Sequence, residues 1–145
     1  MPAFGTKSRI QRDTCHPDII VVLNELIKII DFSVTEGVRT AERQSQLFLA
    51  GRTTLNGVNG ISKHQVKPDG FSHAVDIAPY PLDYSEDNKK RARFYFLVGA
   101  FEGMARQLFE EGRILHKFRY GLDWDNDRDF NDQSFDDLPH IEMRT

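Results

Sequence analysis

The chain has one cysteine, Cys15, in 145 residues. No intrachain disulfide is possible, so the fold must be held by its own core. No apolar run approaches the ~20 residues that cross a bilayer. The N-terminal stretch MPAFGTKSRIQRDTC also lacks the apolar segment of a secretory signal peptide. Positive charge is not in excess: 19 Lys and Arg face 22 Asp and Glu, giving a net charge of -3. That balance excludes a basic nucleic-acid footprint. No internal repeat or linker interrupts the chain, and a single domain over residues 1–145 is expected. A chain this long buries roughly 70% of the surface its unfolded form exposes, so it needs no staples.

What is present is an alternation of helical and strand-like segments. HPDIIVVLNELIKII reads as a helix, with Pro17 at its first position and Asp18 at its positive end. Ile19, Leu23, Leu26, Ile27 and Ile30 make one apolar face. FSVTEG alternates like a short strand, and AERQSQLFLA is a second helix closed by Gly51. Residues 52–73 are rich in Gly, Asn, Ser, Lys and Pro and read as a long loop, a kind that is often functional. AVDIA is a short strand. NKKRARFYFLVGAFEGMARQLFEEG is the longest helix, with Phe94, Leu97, Val98, Phe101, Met104, Ala105 and Leu108 as a core face. FRYGLDW is strand-like, and HIEMR is a final short strand. Each long polar loop leads into a strand that carries an aspartate or a histidine near its start, which suits a site on loops held by a scaffold.

The stretch SKHQVKPDGFSHAVDIAPYP concentrates the chemistry. A catalytic zinc needs three protein ligands and an open position. His64, Asp76 and His140 offer those ligands, and Asp137 in DLPH offers a nearby base. Asp76 lies between Val75 and Ile77, where an unpaired carboxylate is costly to bury. His73 is the rival to His64. In a strand, Asp76 shares a face with Ala74 and Ser72, so His73 points the other way unless a bulge reverses the alternation. His64 lies upstream and can fold back over the strand.

Together these residues resemble the zinc peptidases that include VanY-type D,D-carboxypeptidases, VanX-type dipeptidases and phage L-alanyl-D-glutamate endopeptidases. That pattern is Ser-x-His, then Gly-x-Ala-x-Asp, then a distant Asp/Glu-x-x-His. Here it is Ser62-Lys63-His64, Ala74-Val75-Asp76 and Asp137-Leu138-Pro139-His140. Thr35 to Thr40 is similar to the segment before the helix that bears Gln44, and Tyr120-Gly121 to Trp124-Asp125 is similar to a Gly-x-x-Trp stretch. The chain departs in two ways. His64 and Asp76 are twelve residues apart, a longer separation than the family's usual one, and Ser72 stands where Gly is common.

The resemblance implies a small α+β domain, with helices packed on a short antiparallel sheet and zinc in a surface groove. It implies zinc on His64, Asp76 and His140, and Asp137 as general base and then proton donor. Arg39 would support the scissile carbonyl or its oxyanion, and Ser62 would fix the loop or touch substrate. Glu142, on the same strand face as His140, is placed to accept from its other ring N–H. It implies cleavage of the L-Ala-D-Glu bond of peptidoglycan stem peptides by a phage endolysin. Such a protein waits in the host cytoplasm as a monomer, without stable membrane association, and is released to the wall for lysis. The compact chain, the absence of an export segment and Asp at the base position favour this branch. D-Ala-D-Ala carboxypeptidase or dipeptidase activity, or a wall-binding virion component without turnover, are the alternatives.

Other features have plainer readings. Asp136 is the neighbouring candidate for the base. His16 is expected to cap the first helix, His116 to lie at a strand edge and Cys15 to be an idle thiol. DWDNDRDFNDQSFDD lacks the full EF-hand pattern and reads as a solvated loop, although its alternating aspartates could order around a divalent ion.

Overall fold

A computed structural model describes residues 2–85 and 87–144. In chain order the elements are α1 (Thr6–Arg12), α2 (Pro17–Leu26), β1 (Phe32–Glu36), α3 (Ala41–Leu49), β2 (Ala74–Pro79), α4 (Asn88–Glu110), β3 (Phe118–Tyr120) and β4 (His140–Met143). The strands form one antiparallel sheet in the order β1-β2-β4-β3. This is the expected α+β architecture of helices on a short antiparallel sheet.

Strand alternation divides the sheet into two faces. Phe32, Val34, Val75, Ile77, Phe118, Tyr120, Ile141 and Met143 enter one hydrophobic core. Ile19, Val22, Leu23 and Leu26 of α2 and Phe94, Leu97, Val98, Phe101 and Leu108 of α4 complete it. The intervening strand positions, Asp76, Arg119, His140 and Glu142, are left for the other face. The amphipathic pattern of α4 therefore marks packing, as its sequence indicates.

Several boundaries differ from the sequence reading. α2 stops at Leu26, not at Ile30, because the chain tightens there: Lys28 and Ile29 donate to Glu25 and Leu26, three residues back. The chain then turns into β1. β3 ends at Tyr120, where Asp123 N donates back to Tyr120 O and closes a turn. α1 was not anticipated. It carries no apolar stripe, and it docks on β1 through polar groups: Val34 N donates to Ser8 Oγ at 3.0 Å and Gly37 N to Gln11 Oε1 at 3.0 Å. Gly51 does close α3, at φ +72°. No helix among the described residues is long and apolar enough to cross a membrane.

Candidate metal centre

The antiparallel register sets Asp76 of β2 directly opposite His140 of β4. Both leave the sheet on the face away from the core. His64 arrives from the 52–73 loop and is pinned at three points. Its N–H donates to Ser62 Oγ at 3.1 Å, its carbonyl accepts from Arg39 N at 2.8 Å, and its Nδ1–H donates to Gly37 O at 2.8 Å. Gly37 is required there, because a Cβ would overlap Thr14 Oγ1 and the Gln11 carbonyl.

The extra residues between His64 and Asp76 close as a tight turn: Lys67 N donates to Phe71 O at 3.0 Å, with Gly70 at φ +88°. The longer spacing is thus absorbed outside the cluster. His73 is directed elsewhere, with its Nε2 at 2.7 Å from Asp69 Oδ2. Of the two histidines, it is His64 that meets Asp76.

Three donor atoms converge. His64 Nε2 is 3.2 Å from Asp76 Oδ1 and 3.2 Å from His140 Nδ1, and His140 Nδ1 is 3.4 Å from Asp76 Oδ1. The outer ring nitrogens are committed as donors, His64 Nδ1–H to Gly37 O and His140 Nε2–H to Glu142 Oε1 at 2.9 Å. Both inner nitrogens of the neutral rings therefore present lone pairs to each other, and a shared cation relieves that repulsion. Burial lowers the pKa of His140, but hydrogen bonds to Asp76 and Glu142 and their charges push it up to about 9. Burial raises the pKa of Asp76, yet the two histidines hold it far below the carboxylate range. This donor set can hold a metal ion.

The histidines are only 1% and 7% exposed. The cluster accordingly lies buried at the floor of a cavity of about 860 Å³, which corrects the expectation of a surface groove. Asp137 lines the same cavity, with Oδ2 4.0 Å from His140 Nδ1. Burial and the Asp76 charge raise its pKa against the pull of His140, His64 and Arg39. Its backbone is clamped to Gly121, whose Cβ would overlap the Asp137 carbonyl. Asp136 is exposed and is held by Gln133 and Arg91. Arg39 is on the cavity wall, where Glu36 accepts from its Nε at 2.9 Å and its Nη2 at 2.7 Å and Gln44 accepts from Nη1 at 2.9 Å. Its Nη2 stays 3.8 Å from Asp76 Oδ2.

Sequence reasoning missed Glu36 and Arg119. A bulge between Val34 and Glu36 brings Glu36 opposite Asp76, and nothing in the sequence announces it. Arg119 was legible by alternation, since Phe118 and Tyr120 are core residues. It donates to Glu142 Oε2 at 3.0 Å and lies over the Trp124 ring, which in turn packs on His140.

The acidic loop brings carboxylate oxygens of Asp123, Asp125 and Asp127 together, but Arg128 already donates to Asp123 at 2.8 Å. The loop thus carries its own cation.

Among curated proteins none matches significantly. Among solved structures, the fold is similar to that of the Serratia marcescens L-Ala D-Glu endopeptidase ChiX. The TM-score is 0.67 at 22% identity, over 98% of this chain and 90% of that one. A model of the family described as phage L-alanyl-D-glutamate peptidase matches residues 2–144. With nearly every residue covered, the chain belongs to the phage L-alanyl-D-glutamate peptidase family and is a peptidoglycan peptidase.

Proposed function

We propose that this chain is a zinc-dependent endopeptidase that cleaves the L-Ala-D-Glu bond of stem peptides and serves a phage in host lysis. The observation that carries the metal assignment is the 3.2–3.4 Å spacing of the His64, Asp76 and His140 donor atoms. Tetrahedral ligands at about 2.1 Å from zinc lie about 3.4 Å apart, so the set fits with little movement. Zinc held there would supply Lewis acidity to the attacking water and the scissile carbonyl.

The chain's own residues do the rest. Asp137, ionised, takes the proton of the attacking water and passes it to the leaving amine of D-glutamate. Arg39 is oriented by Glu36 and Gln44, and it places positive charge where the carbonyl oxygen becomes negative. Glu142 accepts from His140 Nε2 and so fixes its tautomer. Ser62 holds the backbone of His64. The cavity is also lined by Arg43, Arg52 and Lys63, which suit a substrate bearing free carboxylates.

The test is mass spectrometry of Gram-negative peptidoglycan digested by the wild type and by Asp137→Asn. The wild type should expose new N-terminal D-glutamate ends, lost on chelation and restored by zinc. Asp137→Asn should slow turnover by about 10²–10⁴-fold while retaining metal. Release of free D-alanine instead would assign the carboxypeptidase chemistry. Zinc-loaded protein that binds sacculi but releases no ends would assign a wall-binding component.

A further inference from the structure

Gln44 of α3 is buried outright, where an amide must find a partner for each polar atom it hides. It finds them on two different parts of the molecule. Its Oε1 accepts from Arg39 Nη1 at 2.9 Å. Its Nε2 donates the other way, to Leu55 O at 2.8 Å and to Thr53 Oγ1 at 3.3 Å. Thr53 and Leu55 line the same cavity as Arg39 and the buried cluster. One side chain therefore joins the arginine to a separate wall of that cavity.

That wall, residues 53–60, is a packed element and not a free flap. Ser45 Oγ donates to Asn56 O at 2.8 Å, and Asn56 Oδ1 accepts from Val58 N, Asn59 N and Gly60 N to close the tip. Gly57, at φ +88°, lies so near α3 that a Cβ would come within 3.0 Å of Ala41 O and 3.1 Å of Gln44 Cβ. A second buried amide holds the far side. Gln65 Nε2 donates to Gly57 O at 3.0 Å, and Gln65 Oε1 accepts from Ser62 N at 2.9 Å, in the turn that carries His64. Within this fixed wall, Thr53 Oγ1 accepts twice, from Gln44 Nε2 and from Leu55 N at 3.2 Å. Both lone pairs of the hydroxyl are taken, so its proton is the function left to it. Among the described residues no hydrogen bond uses that proton. Whatever meets the Thr53 hydroxyl in the cavity must therefore be an acceptor.

We propose that Thr53 binds substrate, donating its hydroxyl proton to a carbonyl or carboxylate oxygen of the stem peptide, and that Gln44 is the positioning residue that keeps this contact in register with Arg39. The proposal rests on the reading above, in which Arg39 meets the scissile carbonyl. A stem peptide offers acceptors of this kind along its length, in its amide carbonyls and free carboxylates. Glu36 also holds the Arg39 guanidinium, and Gln44 adds the link from that guanidinium to the wall. Substrate held at two points a fixed distance apart brings its scissile bond to the reacting groups in one geometry. A displacement of about 1 Å in such a site costs on the order of 10²-fold in rate.

The test is kcat and KM on a soluble stem peptide for the zinc-loaded full chain. The variants are Thr53→Ser, Thr53→Val, Gln44→Met and the double variant of the last two. Zinc content and the unfolding midpoint of each show that a loss of activity is not a loss of metal or of fold. Thr53→Ser keeps the donor and should match the wild type. Thr53→Val keeps the shape without the proton and should raise KM by about 3–10-fold. Gln44→Met should lower kcat by about 10–100-fold with zinc retained. In the Gln44→Met background, Thr53→Val should change KM by less than about 2-fold, because the hydroxyl is no longer held in place. Should Gln44→Met fail to fold, Gln44→Glu carries the same cycle, since its carboxylate still accepts from Arg39 but cannot donate to the wall. A wild-type KM in Thr53→Val, or a Thr53→Ser as impaired as Thr53→Val, overturns the proposal. So do single effects that simply multiply in the double variant. Failure of the underlying reading shows in the wild type alone: a chain that does not cut this peptide between L-Ala and D-Glu removes that reading and this inference with it.

Discussion

Between His64 Nε2 and His140 Nδ1, 3.2 Å apart, two lone pairs face each other unless a proton or a metal ion intervenes. In the metal-free chain the proton goes to His140, whose pKa is pushed up to about 9 from the ordinary 6.5 by Asp76 and Glu142. A folded pKa above the unfolded one stabilises the chain at pH below about 6.5, and that contribution is lost as pH rises through about 9. Chelated protein should therefore melt at progressively lower temperature across this window, whereas metal-loaded protein, which has no such proton, should not show that loss. Metal uptake at pH 7 should release about one proton, measurable by calorimetry in buffers of different ionisation enthalpy. A chelated chain whose melting temperature is flat from pH 6.5 to 9 would remove the proton from His140. Residue identities at this cluster were legible in the sequence, because a carboxylate between Val75 and Ile77 demands a partner. The Glu36 clamp on Arg39 was not, since it depends on a bulge.

At the scale of elements, what the sequence reveals depends on whether an element is held by apolar periodicity. α2 and α4 are, and both were recognisable, as were β2 and β4. α1 is held by polar contacts that leave no periodic trace. Ser8, buried, accepts from Val34 N, and Gln11 accepts from Gly37 N. Thr14 Oγ1 accepts from Val38 N at 2.8 Å and donates to Gln11 O. α1 and its following turn thereby brace the segment that presents Gly37 O to His64. Ser8→Ala leaves the buried Val34 N–H without its acceptor and should cost about 1–3 kcal/mol in denaturant unfolding. A variant that unfolds at the wild-type midpoint would show that α1 is not braced through this bond. The 52–73 loop was read correctly as irregular, but its course was not legible. It is set by long-range bonds such as Arg39 N to His64 O and His73 N to Lys63 O, at 2.8 and 3.0 Å.

For the molecule as a whole, the sheet separates stability from chemistry. Its core face packs α2 and α4, and its other face gathers His64, Asp76 and His140 from positions twelve and 64 residues apart in sequence. No unfolded chain holds these three together, so a metal that they share binds the native state almost exclusively. Free zinc at 100 times its dissociation constant then stabilises by about 2.7 kcal/mol. For a chain of this size, each kcal/mol shifts the melting temperature by about 2–4 °C, so chelation should lower it by about 5–10 °C. Asp137→Asn should retain the whole shift if, as proposed, its carboxylate acts on substrate and not on the metal. Asp76→Asn or His64→Ala should abolish the shift. A shift that survives in both of those variants would place the stabilising metal outside the buried cluster, and one that vanishes in Asp137→Asn would make Asp137 a ligand instead of the base.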